Sequence, residues 1–352
     1  MICKHRRYLM YISQNYSYAI LRPIQKYILS QGGEVCWFLE GDEVDSSYLL
    51  TQETKLKTVK EVVDWKPDAV FVPGNTVPRF IPGVKVAVFH GFDSGKRSSK
   101  RGHFNIRGCF DLYCTQGPAT TKPFQYLATK YGYFDVVETG WPTLDPLFED
   151  NASNPYVDDN DKRPVILMCS TFSQSLSCAP TLFNKVKELS EKGRWRWLVQ
   201  FHPKMPLEIV EKYKSLQNDN LQFIETDNVL PLLQMADVML CDTSSVLIMF
   251  LLLGKPVVSF RNQSPSSYLI DVVDPSKIEG SIEKALTKPL EIESAINDYS
   301  KQVHPYQDGK SSARVVVATN ELIENGLTNK RRKPLNLIRN FKLRKALKYW
   351  GC

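Results

Sequence analysis

Residues 236–260 read ADVMLCDTSSVLIMFLLLGKPVVSF, and the reading of this stretch decides the fold. Residues 238–241 are a short apolar run, 244–253 a longer one opened by hydroxyl side chains, and 256–260 a third run that follows a Gly-Lys-Pro stop. Short, long, short in that order is a strand, a helix and a strand, the unit that joins neighbouring parallel strands. Strands apolar along their whole length are covered on both faces. Ligands of such sheets bind outside the carboxyl ends of the strands, which points to Asp242, Thr243, Ser244 and Ser245.

The alternation extends outward from there. Strands are expected at 165–169, 195–201 and 221–224, with helices at 180–192, 207–216 and 229–235. In the first half, strands are expected at 7–13, 34–39, 69–72, 85–89, 112–115 and 136–138, with a helix at 16–30 stopped by Gly32-Gly33. Between the halves, NASNPYVDDNDKR at 151–163 is polar and aperiodic, as a linker would be. The expected fold class is α/β, with two doubly wound Rossmann-like domains facing across a cleft. Its parts are a first Rossmann-like domain at 1–150, the linker, a second at 164–325 and a basic amphipathic tail at 326–352.

A chain of 352 residues, 43% of them hydrophobic, has room for two cores. No apolar run approaches the ~20 residues of a membrane span, and the first residues lack the apolar region and cleavage site of a secretory leader. A cytoplasmic body is therefore expected. The eight cysteines are sparse and show no zinc spacing, so buried free thiols are expected and no metal or cofactor. The net charge of +7 is unevenly placed. Nine of the 45 cations follow Glu324, where no acid stands, so the body holds 36 cations against 38 acids. In 330–350 these cations interleave with Leu337, Ile338, Phe341, Leu343, Leu347, Tyr349 and Trp350, a mixture suited to an anionic membrane surface; a solvated tail is the plainer reading, and nucleic acid is not an expected partner.

No G-x-G-x-x-G follows the first strand and no G-x-x-x-x-G-K-[ST] occurs, which disfavours dinucleotide oxidoreductases and P-loop enzymes. The run 85–89 leads straight into His90 and Gly91, with Lys96 and Arg97 close behind. An imidazole there suits a general base, and the two cations suit phosphate charge; otherwise this is a turn histidine. His202-Pro203-Lys204 follows the strand 195–201, where proline fixes the turn and presents an imidazole able to donate to a phosphate oxygen, or simply builds a turn. Hydroxyls and amides at 242–245, and again at Ser170 and Thr171, can cap a helix, bind phosphate or do both. Gly140 and Pro142, in the turn that closes the first half, either line the cleft or merely end a domain. Gly309, Lys310 and Arg314, in DGKSSAR at 308–314, open a helix with small residues and cations and are expected at an edge of the nucleotide site.

Taken together, VFHG at 88–91, TGWP at 139–142, FHPK at 201–204, ADVMLCDTSS at 236–245 and DGKSSAR at 308–314 resemble the CDP-glycerol glycerophosphotransferase family, the makers of teichoic-acid-type polymers. The resemblance runs from about residue 85 to 314 and implies a GT-B fold. It implies His90 as general base, and His202, Thr243, Ser244 and Ser245 as ligands of the donor pyrophosphate. The implied reaction is metal-independent transfer of glycerol phosphate from CDP-glycerol to a hydroxyl of a lipid-linked or polymeric glycan, with CMP leaving. The chain departs from the family pattern at Phe92, where a threonine is common, at Phe172-Ser173, where an aromatic-arginine pair is common, and after Ser245, where an acid is often found. These departures bear on the donor and the acceptor rather than the fold. Rival readings are a nucleotide-sugar glycosyltransferase, a UDP-N-acetylglucosamine 2-epimerase suggested by DGKSSAR, and a noncatalytic scaffold of a polymer-export complex.

Overall fold

The structure is a computed structural model that describes residues 5–41, 43–92, 104–149, 154–226, 228–329 and 331–351. The chain divides into two compact units, Met1–Glu149 with Val303–Cys352, and Asp150–Gln302.

The first unit is a six-stranded parallel sheet. Its strands are β1 (Arg7–Ile12), β2 (Glu34–Leu39), β3 (Ala69–Val72), β4 (Val84–Ala87), β5 (Leu112–Thr115) and β6 (Asp135–Glu138), in the spatial order β2-β1-β3-β4-β5-β6. Order reverses between β1 and β3, the switch point at which a crevice opens outside the strand ends. Helices α1 (Ser17–Ser30), α2 (Val59–Trp65) and α3 (Pro118–Tyr131) make the crossovers. Leu9, Tyr11, Val70, Val72, Phe124 and Phe134 fill one core, each 1% exposed or less. Gly32, with φ +79°, supplies the left-handed residue after α1 that other side chains resist.

The second unit repeats the plan. Strands β7 (Val165–Ser170), β8 (Arg196–Phe201), β9 (Leu221–Phe223), β10 (Val238–Cys241), β11 (Val257–Phe260) and β12 (Ile270–Val272) lie in the order β12-β11-β10-β7-β8-β9, all parallel. Around them run α4 (Ala179–Glu191), α5 (Leu207–Lys214), α6 (Leu230–Met235), α7 (Val246–Leu251), α8 (Ile278–Leu286) and α9 (Leu290–Val303). The expected strand–helix–strand unit at 238–260 is β10-α7-β11, and β10 lies between β7 and β11. The two α/β sheets are the GT-B class read from the sequence.

Three expectations are corrected. The strand expected at 85–89 stops at Ala87, because Phe89 takes φ +58° and turns the backbone out of the sheet. Strand β12, three half-buried residues, has too short a pattern to register. The third correction is to the domain boundary. Helix α10 (Ser311–Asn325), expected in the second domain, belongs to the first unit: the Tyr8 hydroxyl meets the Asn320 side-chain oxygen at 2.7 Å, and the Asp145 carboxylate accepts the Ser311 and Ser312 amides at 2.8 and 2.7 Å. A side-chain carboxylate from another segment thus satisfies amides that any helix start leaves open. The described part of the expected linker is packed on the second unit, where the Asn154 amide donates to the Pro231 carbonyl at 2.8 Å and Arg196 to the Tyr156 carbonyl at 2.9 Å.

The tail is ordered against the first unit. Lys333 reaches the Asp111 carboxylate at 2.6 Å and the Cys109 carbonyl at 3.1 Å, and after α11 (Leu337–Ala346) the side chains of Leu347 and Tyr349 pack on the first core. No described helix is long and apolar enough to cross a membrane.

The segment that returns from α9 to α10 lies so close to Gly117 that a Cβ there would sit 2.4 Å from the Val303 carbonyl oxygen. The φ of Gly117 is extended and open to any residue, so only the close approach demands glycine. Gly117→Ala is expected to lower stability by about 2 kcal/mol through overpacking, which urea unfolding followed by circular dichroism will read.

Candidate functional site

The carboxyl end of β4 carries His90. Its Nδ1 lies 3.2 Å from the Pro73 carbonyl oxygen, and a carbonyl only accepts, so Nδ1 holds the proton and Nε2 is the basic nitrogen of the neutral ring. The Tyr16 ring, from the loop after β1, tilts against the imidazole at 5.8 Å. Gly91 accepts at its carbonyl from the Gln116 side-chain amide at 3.0 Å. Phe92, where the family pattern has threonine, is buried and sets its ring edge-on to Trp141 at 5.2 Å. Lys96 and Arg97 lie outside the described residues.

Gly140, Pro142, Gly309, Lys310 and Arg314 all belong to the first unit. Gly140 has φ +80°, and a Cβ on it would lie 2.4 Å from Ser311 Oγ and 3.0 Å from His304 Nε2. Pro142 is buried at the start of a 3-10 turn, Pro142–Leu147. Arg314 has its donors engaged: Nε–H reaches the Thr139 carbonyl at 2.8 Å, the two terminal nitrogens grip Asp308 at 2.8 and 3.0 Å, and the guanidinium lies 4.0 Å from the centre of the Tyr306 ring. That grip holds the Asp308 carboxyl below its usual range. Lys310 is exposed.

In the second unit, Ser170 ends β7 and Thr171 follows it, His202 follows β8 and Asp242 follows β10, three adjacent strands, so these candidates share one end of the sheet. Asp242 is fully buried. Its carboxylate accepts from the Ser170 hydroxyl at 2.6 Å, the Thr171 amide at 3.1 Å and the Cys178 amide at 3.0 Å. This carboxylate is a tie between strand ends; it holds in place the loops that surround it. Thr243 is turned to its own chain as well, accepting from the Gln263 amide at 3.0 Å. Ser244 is half-buried and Ser245 exposed, and Ser245 stands at the start of α7 without a side-chain cap bond. His202 is exposed with Pro203 and Lys204; its Nδ1 accepts the Lys204 amide at 3.0 Å, so the neutral ring carries its proton on Nε2. The ring of Phe172 lies 4.5 Å from it.

The sequence reading passed over His304, which is 1% exposed. Its Nε2 accepts the Trp141 amide at 2.9 Å, and burial lowers its pKa to about 4, so the ring is neutral. The signal available in the sequence was a second His-Pro pair at 304–305, echoing 202–203. Among the described residues no three His, Cys, Asp or Glu side chains converge as metal ligands.

Residues 110–265 match the family model described as CDP-glycerol:poly(glycerophosphate) glycerophosphotransferase. Over that segment, 156 of the 352 residues, the chain is similar to this family. The matched segment contains the turn at 139–142, His202-Pro203-Lys204 and 242–245, and leaves out His90 and 308–314. Its fold is similar to the wall teichoic acid polymerase TagF, with a TM-score of 0.63 at 14% identity over 92% of this chain and 90% of that one. It is also similar to a UDP-N-acetylglucosamine 2-epimerase, with a TM-score of 0.62 at 18% identity over 94% and 99% of the two chains. A co-structure of S. aureus MnaA with UDP gives a TM-score of 0.60 at 17% identity over 94% and 100%. No curated protein matches the chain by sequence.

Asp242→Ala leaves the Ser170 hydroxyl without this acceptor and the Thr171 and Cys178 amides without theirs. It is expected to destabilise the second unit by about 3 kcal/mol. Limited proteolysis should cut within 150–302 first, whereas Ser245→Ala, at an exposed position, should leave the cleavage pattern unchanged.

Proposed function

We propose that the chain moves glycerol phosphate from CDP-glycerol to a hydroxyl of a lipid-linked or polymeric cell-surface glycan. The acceptor oxygen attacks the β-phosphorus, its proton passes to His90 Nε2, the bond from that phosphorus to the bridging oxygen breaks, and CMP leaves with that oxygen. The observation that carries this reading is the tautomer of His90: a backbone carbonyl holds the proton at Nδ1 and makes Nε2 the basic atom at the carboxyl end of a central strand. His202, with its proton directed to Nε2 by the Lys204 amide, has the opposite polarity and suits donation to an oxygen of the donor pyrophosphate. Thr243, Ser244 and Ser245, with Ser170, Thr171 and Lys204, would line the donor side, and Gly91, Gly140 and Pro142 the acceptor side. Support for the donor comes from the family match and from a TagF structure soaked with CDPG.

The tail supports a peripheral position on the inner face of the plasma membrane. Leu335, Leu337, Ile338, Phe341 and Trp350 are between 58% and 77% exposed, while Leu347 and Tyr349 are packed on the body. Each cation held near an anionic surface contributes about 1 kcal/mol.

CDP-glycerol should raise the melting temperature, since a ligand bound only by the folded chain stabilises it; stabilisation by UDP-sugars instead would move the protein to a glycosyltransferase class. His90→Ala is expected to lower CMP release by about 10²–10⁴-fold with donor affinity kept, and full turnover in that variant would remove the base. Replacing Ile338, Phe341 and Trp350 together by Ser should abolish sedimentation with phosphatidylglycerol vesicles while the melting temperature holds; undiminished sedimentation would rule out a membrane role for this face.

A further inference from the structure

The two carbonyls that flank His90 are both held by buried donors. On one side the Trp141 indole Nε1–H reaches the Phe89 carbonyl at 3.4 Å, and on the other the Gln116 side-chain amide reaches the Gly91 carbonyl at 3.0 Å. Trp141 is 5% exposed and Gln116 is fully buried, at the end of β5, the strand next to β4. Phe89, just before His90, has φ +58°, a conformation that a bulky side chain keeps only where its surroundings impose it. Trp141 is in turn placed by His304, whose Nε2 accepts the Trp141 backbone amide at 2.9 Å, and Phe92 lays its ring against both, at 5.2 and 6.3 Å. His304 accepts at Nε2, so its proton sits on Nδ1, and among the described residues that buried atom has no hydrogen-bond partner.

We infer that Trp141 and Gln116 are positioning residues that clamp the peptide on either side of His90, and that His304 seats the Trp141 arm of the clamp. The clamp fixes the His90 ring where the Pro73 carbonyl can take Nδ1–H, and so selects the tautomer with a basic Nε2. All six residues, Phe89, His90, Gly91, Gln116, Trp141 and His304, belong to the first unit. The catalytic consequence rests on the reading of His90 as base; the structural one, a single tautomer at His90, does not.

The test separates the two. Full-length protein carrying ¹⁵N-labelled histidine is compared with Trp141→Phe, Gln116→Met and His304→Leu, the His90 signals being assigned by their loss in His90→Ala. Wild type should show His90 with Nδ1 protonated, and each variant should shift its nitrogen resonances toward a tautomer mixture. In the CMP-release assay with CDP-glycerol, kcat should fall about tenfold to a hundredfold while KM for the donor stays within about twofold, the pattern of a misplaced group rather than a lost binding site. His304→Gln, which returns an acceptor oxygen near the Nε2 position, should recover most of kcat where His304→Leu does not. If His304→Leu does not fold, Trp141→Phe carries the test, because it keeps the backbone amide and an aromatic ring while removing the indole donor. Unchanged His90 resonances in both Trp141→Phe and Gln116→Met would overturn the clamp. Shifted resonances with full turnover in His90→Ala would overturn the base reading and leave the clamp standing as the control of the tautomer alone.

Discussion

Much of the first unit depends on one buried carboxylate. Asp145, 3% exposed, accepts the amides of Ser311 and Ser312 and so fixes the start of α10 on the turn that follows β6. Burial pushes its pKa up against hydrogen bonds that pull it down, so desolvation outweighs the amides in setting its acidity. Removing the carboxylate would leave two amides at the helix start without these partners. Its position dictates the path of the chain before it: 303–310 must cross the ends of β5 and β6, where Gly117 and Gly140 have no side chain to obstruct it. His304 comes to rest on Trp141 because of that path.

The same logic, a buried acid holding loops at the carboxyl ends of strands, recurs in the second unit with Asp242. There the partners are a hydroxyl and two amides from the segment after β7. A sheet of parallel strands leaves its carboxyl-end loops without the ladder hydrogen bonds that order the strands. In each unit a buried carboxylate ties some of them, while His202 and Lys204 in the second unit are held by their own turn, the Lys204 amide donating to His202 Nδ1.

Most of the architecture was legible because strand cores in a doubly wound sheet are uninterrupted apolar runs. The runs at 165–170, 196–201, 238–241 and 257–260 could be read within one or two residues, and so could the histidines that follow two of the strands. What could not be read depends on partners distant in the chain. Asp242 resembles a ligand in sequence because its companions are hydroxyls; only the fold brings Ser170, Thr171 and Cys178 to it from about seventy residues away. Helix α10 follows the second domain in sequence, and nothing local reveals that Asn320 and Ser311 find partners at Tyr8 and Asp145. Gln116 carries no signal, and His304 only its His-Pro pair, since each acts on a backbone group that sequence does not display.

The two exposed-end histidines illustrate how backbone, rather than side-chain chemistry, sets polarity. An isolated imidazole exchanges freely between two tautomers and serves equally as acid or base. His90 faces a carbonyl, which forces the proton onto Nδ1, and His202 faces an amide, which forces it onto Nε2. A turn containing Pro73 fixes the first choice, since proline offers a carbonyl and no N–H; the His-Pro-Lys turn fixes the second, since Pro203 has no amide to offer and the nearest donor is the N–H of Lys204. Transfer between oxygens of a pyrophosphate and a hydroxyl needs one group that takes a proton and another that offers one. Under the proposed function two copies of the same side chain would meet that need, because the backbone group each one faces is a carbonyl in one case and an amide in the other.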